Sequence, residues 1–75
     1  MNKQRREAIR NAMGYIDQAR DLISGAKDGE EEAFDSFPEN LQASQRGEQM
    51  ESNIESMDKI LEHISDIEEL AEGIL

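Results

Sequence analysis

The chain contains no cysteine and no tryptophan, and only one histidine and one proline among its 75 residues. Without cysteine it can form neither disulfides nor thiolate metal sites, and one histidine excludes a zinc site built from several histidines of one chain. A chain of this length buries a small fraction of its surface, so an isolated monomer is only marginally stable. Stability must therefore come from regular helix packing or from self-association.

Long apolar runs and positive charge are also scarce. No run of about 18 apolar residues occurs, and no apolar run of signal-peptide length follows the basic N-terminal residues, so we expect no membrane association and no signal peptide. The net charge of −10 opposes diffuse attraction to nucleic acid or to an anionic membrane. We expect a cytoplasmic protein, a compartment that agrees with the absence of cysteine, and a basic protein as its partner.

The first half of the chain contains apolar residues at helical spacing. Two rows recur every seven residues, one of isoleucine and one of alanine: Ile9, Ile16, Ile23 and Ala12, Ala19, Ala26, Ala33. This pattern predicts a helix over about residues 3–35 with a coiled-coil-like, alanine-rich seam. Since alanine does not hold neighbouring helices apart, we expect the helix axes to approach at the short end of the usual range of about 8–10 Å.

The segment after this helix carries the signals of a turn. Ser36 and Glu39 have the spacing of a capping box, and Pro38 fits the first turn of a helix because its missing N–H costs nothing there. We therefore expect a turn and a short helix over about residues 36–43.

A second long helix is predicted over about residues 44–74, with Ser44 as a further cap. Its apolar residues follow alternating steps of three and four, and further apolar residues widen the stripe toward the C-terminus. They are Met50, Ile54, Met57, Leu61, Ile64, Ala71 and Leu75, with Ile60, Ile67, Leu70 and Ile74 beside them.

Charge favours an antiparallel arrangement of the two helices. Residues 1–27 carry six basic and three acidic side chains, whereas residues 28–75 carry two basic and fifteen acidic ones. Antiparallel folding would bring the basic N-terminal residues beside the acidic C-terminal ones and offset two unfavourable helix-dipole ends. These are Lys3, Arg5, Arg6, Arg10 and Asp66, Glu68, Glu69, Glu72. The prediction is one all-α domain over residues 1–75, an antiparallel two-helix hairpin.

Both apolar stripes are wider than one neighbouring helix can cover. We therefore expect two hairpins to pack as a homodimeric four-helix bundle. The expected dimer interface contains Tyr15, Leu22, Ile60, Ile67 and Ile74.

No residue pattern indicates catalysis, a cofactor or a metal ion. His63 has an acidic neighbour at helical spacing, Asp66, but no second histidine or thiol, so we interpret it as a boundary or inter-chain contact. The seven carboxylates along the outer face from Glu48 to Glu72 give one charge per ~5 Å, against one phosphate charge per ~1.7 Å of duplex DNA. This spacing favours a solvated acidic face over mimicry of DNA.

The turn residues Phe34, Phe37, Leu41 and Arg46 have two interpretations. The apolar side chains could fold over the end of the hairpin and cap its core. Alternatively, they remain partly exposed among carboxylates and form an apolar anchor for a basic partner, with Arg46 binding an anion or its acidic neighbours.

The segments FPENLQ and SQRGE, between a basic first helix and an acidic second one, resemble small acidic helical proteins encoded by bacteriophages and prophages. The resemblance covers most of the chain and implies an accessory phage context without a known activity. Small acidic phage proteins often bind and inhibit host proteins, which is an argument by analogy.

We therefore expect a non-enzymatic protein–protein interaction module, a phage accessory or inhibitor protein that acts on a host or phage protein in the host cytoplasm. One alternative is a helical bundle that sequesters a small anionic ligand through Arg46 and the basic N-terminal residues. Others are a purely structural assembly module and a DNA mimic, which the charge spacing disfavours.

Overall fold

The computed structural model describes all 75 residues and contains three helices. Helix α1 spans Lys3–Ser36, α2 spans Glu39–Gln42 and α3 spans Gln45–Glu72. α1 and α3 pack side by side, and α2 lies in the turn between them. The expected all-α, antiparallel hairpin is confirmed, with α1 one residue longer and α3 two residues shorter at its C-terminal end than expected.

Helix α1 starts at a side-chain cap and continues through three glycines. The Asn2 Oδ1 atom accepts a hydrogen bond of 2.9 Å from the Arg5 backbone N–H, which satisfies one of the free donors at the helix start. The interior glycines do not interrupt the helix, although each has a low intrinsic helix propensity. They are Gly14, Gly25 and Gly29. Packing against α3 offsets that low propensity.

The face that α1 turns toward α3 agrees only in part with the expected one. Of the expected alanine row, Ala12 and Ala19 are half-buried, whereas Ala26 and Ala33 are exposed. The isoleucine row is half-buried, and a second half-buried row of larger residues repeats every seven positions beside it: Met13, Arg20, Lys27 and Phe34. The physical reason is the length of these side chains, which cover more of the surface of α3 than alanine can. Arg20 and Lys27 also form ion pairs with carboxylates of α3.

The expected cap at Ser36 is wrong, and the expected cap at Ser44 is confirmed. Ser36 is the last residue of α1, and α2 starts after Pro38 without a side-chain cap. The Ser44 hydroxyl accepts a hydrogen bond of 3.3 Å from the Gly47 N–H at the start of α3. α1 simply runs through the position where the capping box would have started a new helix.

Two ion pairs join α1 to α3, and they differ from the expected ones. Arg20 pairs with Glu68, and Lys27 Nζ lies 2.6 Å from Asp58 Oδ1. The basic residues of the first turns of α1 form no ion pair, because α1 extends past the C-terminal end of α3. They are Lys3, Arg5, Arg6 and Arg10.

The hairpin is a rod of 58 × 15 × 13 Å with a thin core. Ile64, Ala71 and Gly47 are its only buried residues. None of its helices combines the length and the apolar character needed to cross a lipid bilayer. Most apolar side chains are therefore covered from one side only.

Candidate functional site

One face of the hairpin exposes large apolar side chains, and we call it the apolar face. On α1, Tyr15 is 72% and Leu22 is 76% exposed. In the second half, the exposed members are Ile60, Ile67 and Leu70 on α3 and Ile74 just after its end, and their exposure ranges from 39% to 73%. The alanine row Ala12, Ala19, Ala26, Ala33 lies next to Tyr15 and Leu22 on α1 and belongs to the same face.

The exposed apolar residues of both helices point to the same side of the hairpin. At 100° per residue, the row on α1 lies about a quarter turn from the side that meets α3. The row on α3 is displaced by about the same angle, and antiparallel packing brings both rows to one side. A shared cleft agrees with this geometry, since Ala26 of the α1 row and Ser56, four residues before Ile60, line it together.

The opposite side of the hairpin is the acidic face. It carries Asp17, Asp21 and Asp28 on α1 and Glu51, Glu55, Asp58, Glu62, Glu69 and Glu72 on α3. All of these side chains belong to exposed residues. The hairpin thus separates its surface into an apolar side and an anionic side.

The first turns of α1 form a basic overhang at the open end of the hairpin. The cleft at this end is lined by Met13, Gly14 and Asp17 of α1, by Ala71 and Glu72 of α3, and by the C-terminal Leu75. Residues before Met13 therefore extend beyond α3, by about 15 Å at 1.5 Å per residue. This basic overhang, residues 3–10, carries four basic side chains and one acidic one.

The turn at the other end is closed by hydrogen bonds to backbone carbonyls. The Gln42 side-chain amide donates to the carbonyl oxygens of Phe34, at 3.1 Å, and Phe37, at 3.2 Å. A Cβ atom on Gly47 would lie 2.6 Å from the carbonyl carbon of Gln42, so α3 can approach the turn only because residue 47 is glycine. Gln42 and Gly47 therefore fix how the turn joins the two helices.

The four turn residues singled out from the sequence are partly together. Phe34 and Phe37 are half-buried, whereas Leu41 is 43% exposed and Arg46 is exposed. The Arg46 guanidinium lies over the Phe37 ring at 5.8 Å from its centroid, within the range of a cation–π contact. The turn thus presents Leu41 and one face of Arg46 to solvent, while the two aromatic rings are partly covered.

The charged groups between the helices form ion pairs and hydrogen bonds with neighbouring side chains. The Asp58 carboxylate raises the pKa of Lys27 above its ordinary value, chiefly through their hydrogen bond, while partial burial acts in the opposite direction. Glu31, at 3.5 Å, also raises this pKa. Further along, the Asn53 amide donates to Glu30 Oε2 at 2.8 Å. These contacts align α1 and α3 without a large apolar core.

No group of three or more histidine, cysteine, aspartate or glutamate side chains is placed to hold a metal ion. The cleft at the open end contains three carboxylates, Asp17, Glu68 and Glu72, and its lining has no cation. The carboxylates of this cleft would repel an anionic ligand. The basic overhang lies outside it.

Comparison of the chain with protein-family models, with curated proteins and with solved structures found no match.

Two residues that matter for the site were not singled out as site residues from the sequence. Leu70 was assigned to the wider stripe, yet at 73% it is among the most exposed apolar residues of the apolar face. Its position between Ile67 and Ile74 at helical spacing was the available signal. Gln42 had no such signal, because its two acceptor carbonyls become neighbours only after the turn has formed.

Proposed function

We propose that this protein is a non-enzymatic protein–protein interaction module that forms a homodimeric four-helix bundle and binds a basic protein. The observation that carries the proposal is the apolar face, on which six large apolar side chains of two helices are exposed together. Contiguous exposed apolar surface in a small chain marks an interaction site. The expected interface residues Tyr15, Leu22, Ile60, Ile67 and Ile74 all lie on this face, and Leu70 joins them.

A second copy of the chain fits this face. A stable interface buries about 800 Å² on each partner, and one long side of a 58 × 15 Å rod offers roughly that area. Pairing two apolar faces would also give each thin core a second layer of side chains, which is how four-helix bundles are stabilised. The acidic faces would remain outside, so the dimer would stay strongly anionic on both sides.

The acidic faces support a basic protein as the further partner. Clustered carboxylates accelerate and orient the approach of a positively charged surface, while an apolar anchor supplies affinity. Leu41 and Phe37 beside the carboxylates of the turn are the proposed anchor, with Phe34 next to them in the half-buried part of the turn and Arg46 over the ring of Phe37.

The resemblance to small acidic phage and prophage proteins supports an accessory or inhibitory role against a host protein in the host cytoplasm. A structural assembly module is the second candidate, and the same apolar face favours it, since self-association alone would account for that face. The two candidates differ in whether the acidic faces and the turn contact anything else.

Light scattering tests the dimer. We expect the wild type to have the mass of two chains at micromolar concentration, and Leu22→Glu combined with Ile67→Glu to have the mass of one chain. Asp21→Asn combined with Asp66→Asn is the matched control, because it changes two exposed acidic neighbours and should remain dimeric. A wild-type monomer at these concentrations would overturn the dimer.

Affinity capture from bacterial lysate tests the partner. With wild-type protein as bait, we expect a basic protein that is lost with Glu55→Lys combined with Glu62→Lys on the acidic face, or with Leu41→Ala at the turn. Each bait must keep its helicity and its dimeric mass. If both altered baits retain the same protein, the acidic face and the turn are not its binding site, and the assembly role is favoured.

A further inference from the structure

We infer that the two copies pack with their hairpins pointing in opposite directions, about a two-fold axis that crosses α1 at Ala19 and α3 at Ile67. In this dimer the basic overhang of each copy lies beside the acidic turn end of the other. The inference rests on the proposed dimer and adds its direction, its register and the role of the overhang. Five observations on the apolar face and the two ends lead to it.

The α1 row is symmetric about Ala19. Ala12 and Ala26 lie seven residues on either side of it, so a two-fold axis there puts Ala12 against Ala26 of the partner subunit. The same rotation brings Tyr15 beside Leu22 of the partner subunit. Two copies of α1 can therefore approach closely along their alanines, while Tyr15 and Leu22, the two large exposed apolar side chains of this helix, cover each other.

The α3 row is symmetric about Ile67 in the same way. Ile60 lies seven residues before it on α3 and Ile74 seven residues after it, in the turn that follows α3, so the rotation brings Ile60 toward Ile74 of the partner subunit. The two centres lie within about 3 Å of the same height, because Arg20 and Glu68, each one residue further along its own antiparallel helix, form an ion pair. A single two-fold axis can therefore pair both apolar rows with their copies in the partner subunit.

The apolar rows alone permit a second dimer. A two-fold axis along the helices would place Ala19 against Ile67 of the partner subunit, with both hairpins pointing the same way. Small residues would then meet large ones, which is also good packing. The direction must therefore be decided by something other than apolar packing, and the ends of the hairpin differ in charge.

Charge favours opposite directions. The basic overhang carries four basic residues and one acidic one, whereas residues 28–35 of α1 carry five acidic residues and no basic one. Hairpins pointing the same way would place like ends together, while opposite directions place unlike ends together. A rotation about Ala19 brings residues 3–10 of one copy to the same height as residues 28–35 of the partner subunit, although most of these charged side chains lie on the outer side of α1.

Arg5 continues the alanine row, because it lies seven residues before Ala12. The two-fold axis puts it against Ala33 of the partner subunit, one helical turn from Glu30 of the partner subunit. Arg5 is thus the overhang residue best placed for a direct contact with the other copy.

The helix dipoles favour the same arrangement. α1 has no acidic residue in its first turn and no basic residue in its last turn, so neither end is offset within the chain. Packing α1 against α1 of the partner subunit in the opposite direction supplies acidic side chains to the first end and basic ones to the second.

Single cysteines test the direction, because the native chain contains none. Disulfides form between residues whose Cα atoms are about 4.4–6.8 Å apart. We expect Ala19→Cys to give a disulfide-linked dimer on a non-reducing gel after mild oxidation, because the residue meets its own copy on the axis. Gly25→Cys is the matched control on the outer side of α1 and should remain unlinked.

A second pair of variants keeps the test independent of one site. Ala12→Cys and Ala26→Cys, mixed while reduced and then oxidised, should form a linked heterodimer. Linkage of Ala19→Cys only when it is mixed with Ile67→Cys would show hairpins pointing the same way and would overturn the inference while leaving the proposed dimer intact. A reduced protein with the mass of one chain would overturn both.

Charge reversal tests the role of the overhang. Exposed ion pairs contribute little individually, so we expect the triple variant Arg5→Glu, Arg6→Glu, Arg10→Glu to weaken dimerisation only about tenfold at low salt. Adding the variant Glu30→Arg, Glu31→Arg, Glu32→Arg should restore affinity in the mixed dimer, and this variant must keep the helicity of the wild type because Glu30 and Glu31 also contact Asn53 and Lys27 within the chain. Equal dissociation constants for the mixed and unmixed triple variants would contradict a contact between the overhang and the turn end.

Discussion

At the turn end of the hairpin, Gln42, Ser44 and Gly47 join the helices through contacts within one chain. At the open end, α1 extends past α3, and its basic residues have no ion pair within the chain. The turn end is therefore a local structure that should form in a single copy. The open end has cations and apolar side chains that only another molecule can cover, so its contribution should depend on protein concentration.

The largest expected difference in the free energy of unfolding comes from replacing one glycine by alanine at each end of the hairpin. Gly47→Ala should lower the free energy of unfolding by about 2–4 kcal/mol, because the new Cβ would overlap the backbone of Gln42. Gly14→Ala at the open end has free space around the new atom and should raise it by up to about 1 kcal/mol through helix propensity. Urea denaturation of both variants measures the difference. Similar midpoints would show that the turn is not as tightly closed as its backbone contacts indicate.

The next effect concerns the side chain that bridges the turn. Gln42→Ala removes two hydrogen bonds to backbone carbonyls and should cost about 1–2 kcal/mol. Gln45→Ala is the control, since this glutamine is exposed at the start of α3 and makes no side-chain hydrogen bond. Thermal unfolding followed by circular dichroism should separate the two variants. Equal losses would assign the cost to the turn sequence in general rather than to the bridge.

A smaller effect should distinguish the two ends by its dependence on concentration. Arg46→Ala removes the contact with Phe37 and should cost about 0.5–1 kcal/mol at any protein concentration. Arg5→Ala should change the unfolding midpoint only at concentrations where the chain associates, because ligand-like binding of a second copy stabilises the folded state by mass action. Unfolding curves at two concentrations check this. A concentration-independent loss for Arg5→Ala would show that the overhang contributes within one chain.

The smallest effect is a pH dependence in the middle of the hairpin. Because Asp58 raises the pKa of Lys27 in the folded state, the pair stabilises the fold fully below the ordinary lysine value of about 10.4. That stabilisation is lost as the pH rises through the raised pKa. Lys27→Met should therefore remove part of the loss of stability that we expect above about pH 10. An unchanged profile would show that the exposed pair contributes nothing measurable.

The sequence predicts what depends on periodicity and on charge sums. The two long helices and the Ser44 cap follow from residues that are neighbours along the chain or one helical turn apart, and the antiparallel direction follows from the opposite charges of the two halves. The seam was harder to predict, because Ala19 and Arg20 are both half-buried beside Ile16 and only the side chains of α3 decide that Arg20 forms the ion pair. The bridge from Gln42 depends on carbonyl groups that only the folded turn brings together.

No residue of the chain has a positive φ, and no peptide bond is cis. Every backbone conformation in the turn is therefore open to ordinary L-amino acids, and the requirement for glycine at residue 47 comes from crowding alone. Consequently the turn should tolerate wide sequence change if Gln42, Ser44 and Gly47 are kept. A library randomised at residues 38–41, selected for folding and then for binding, would therefore change what this tip recognises without changing the scaffold that holds it.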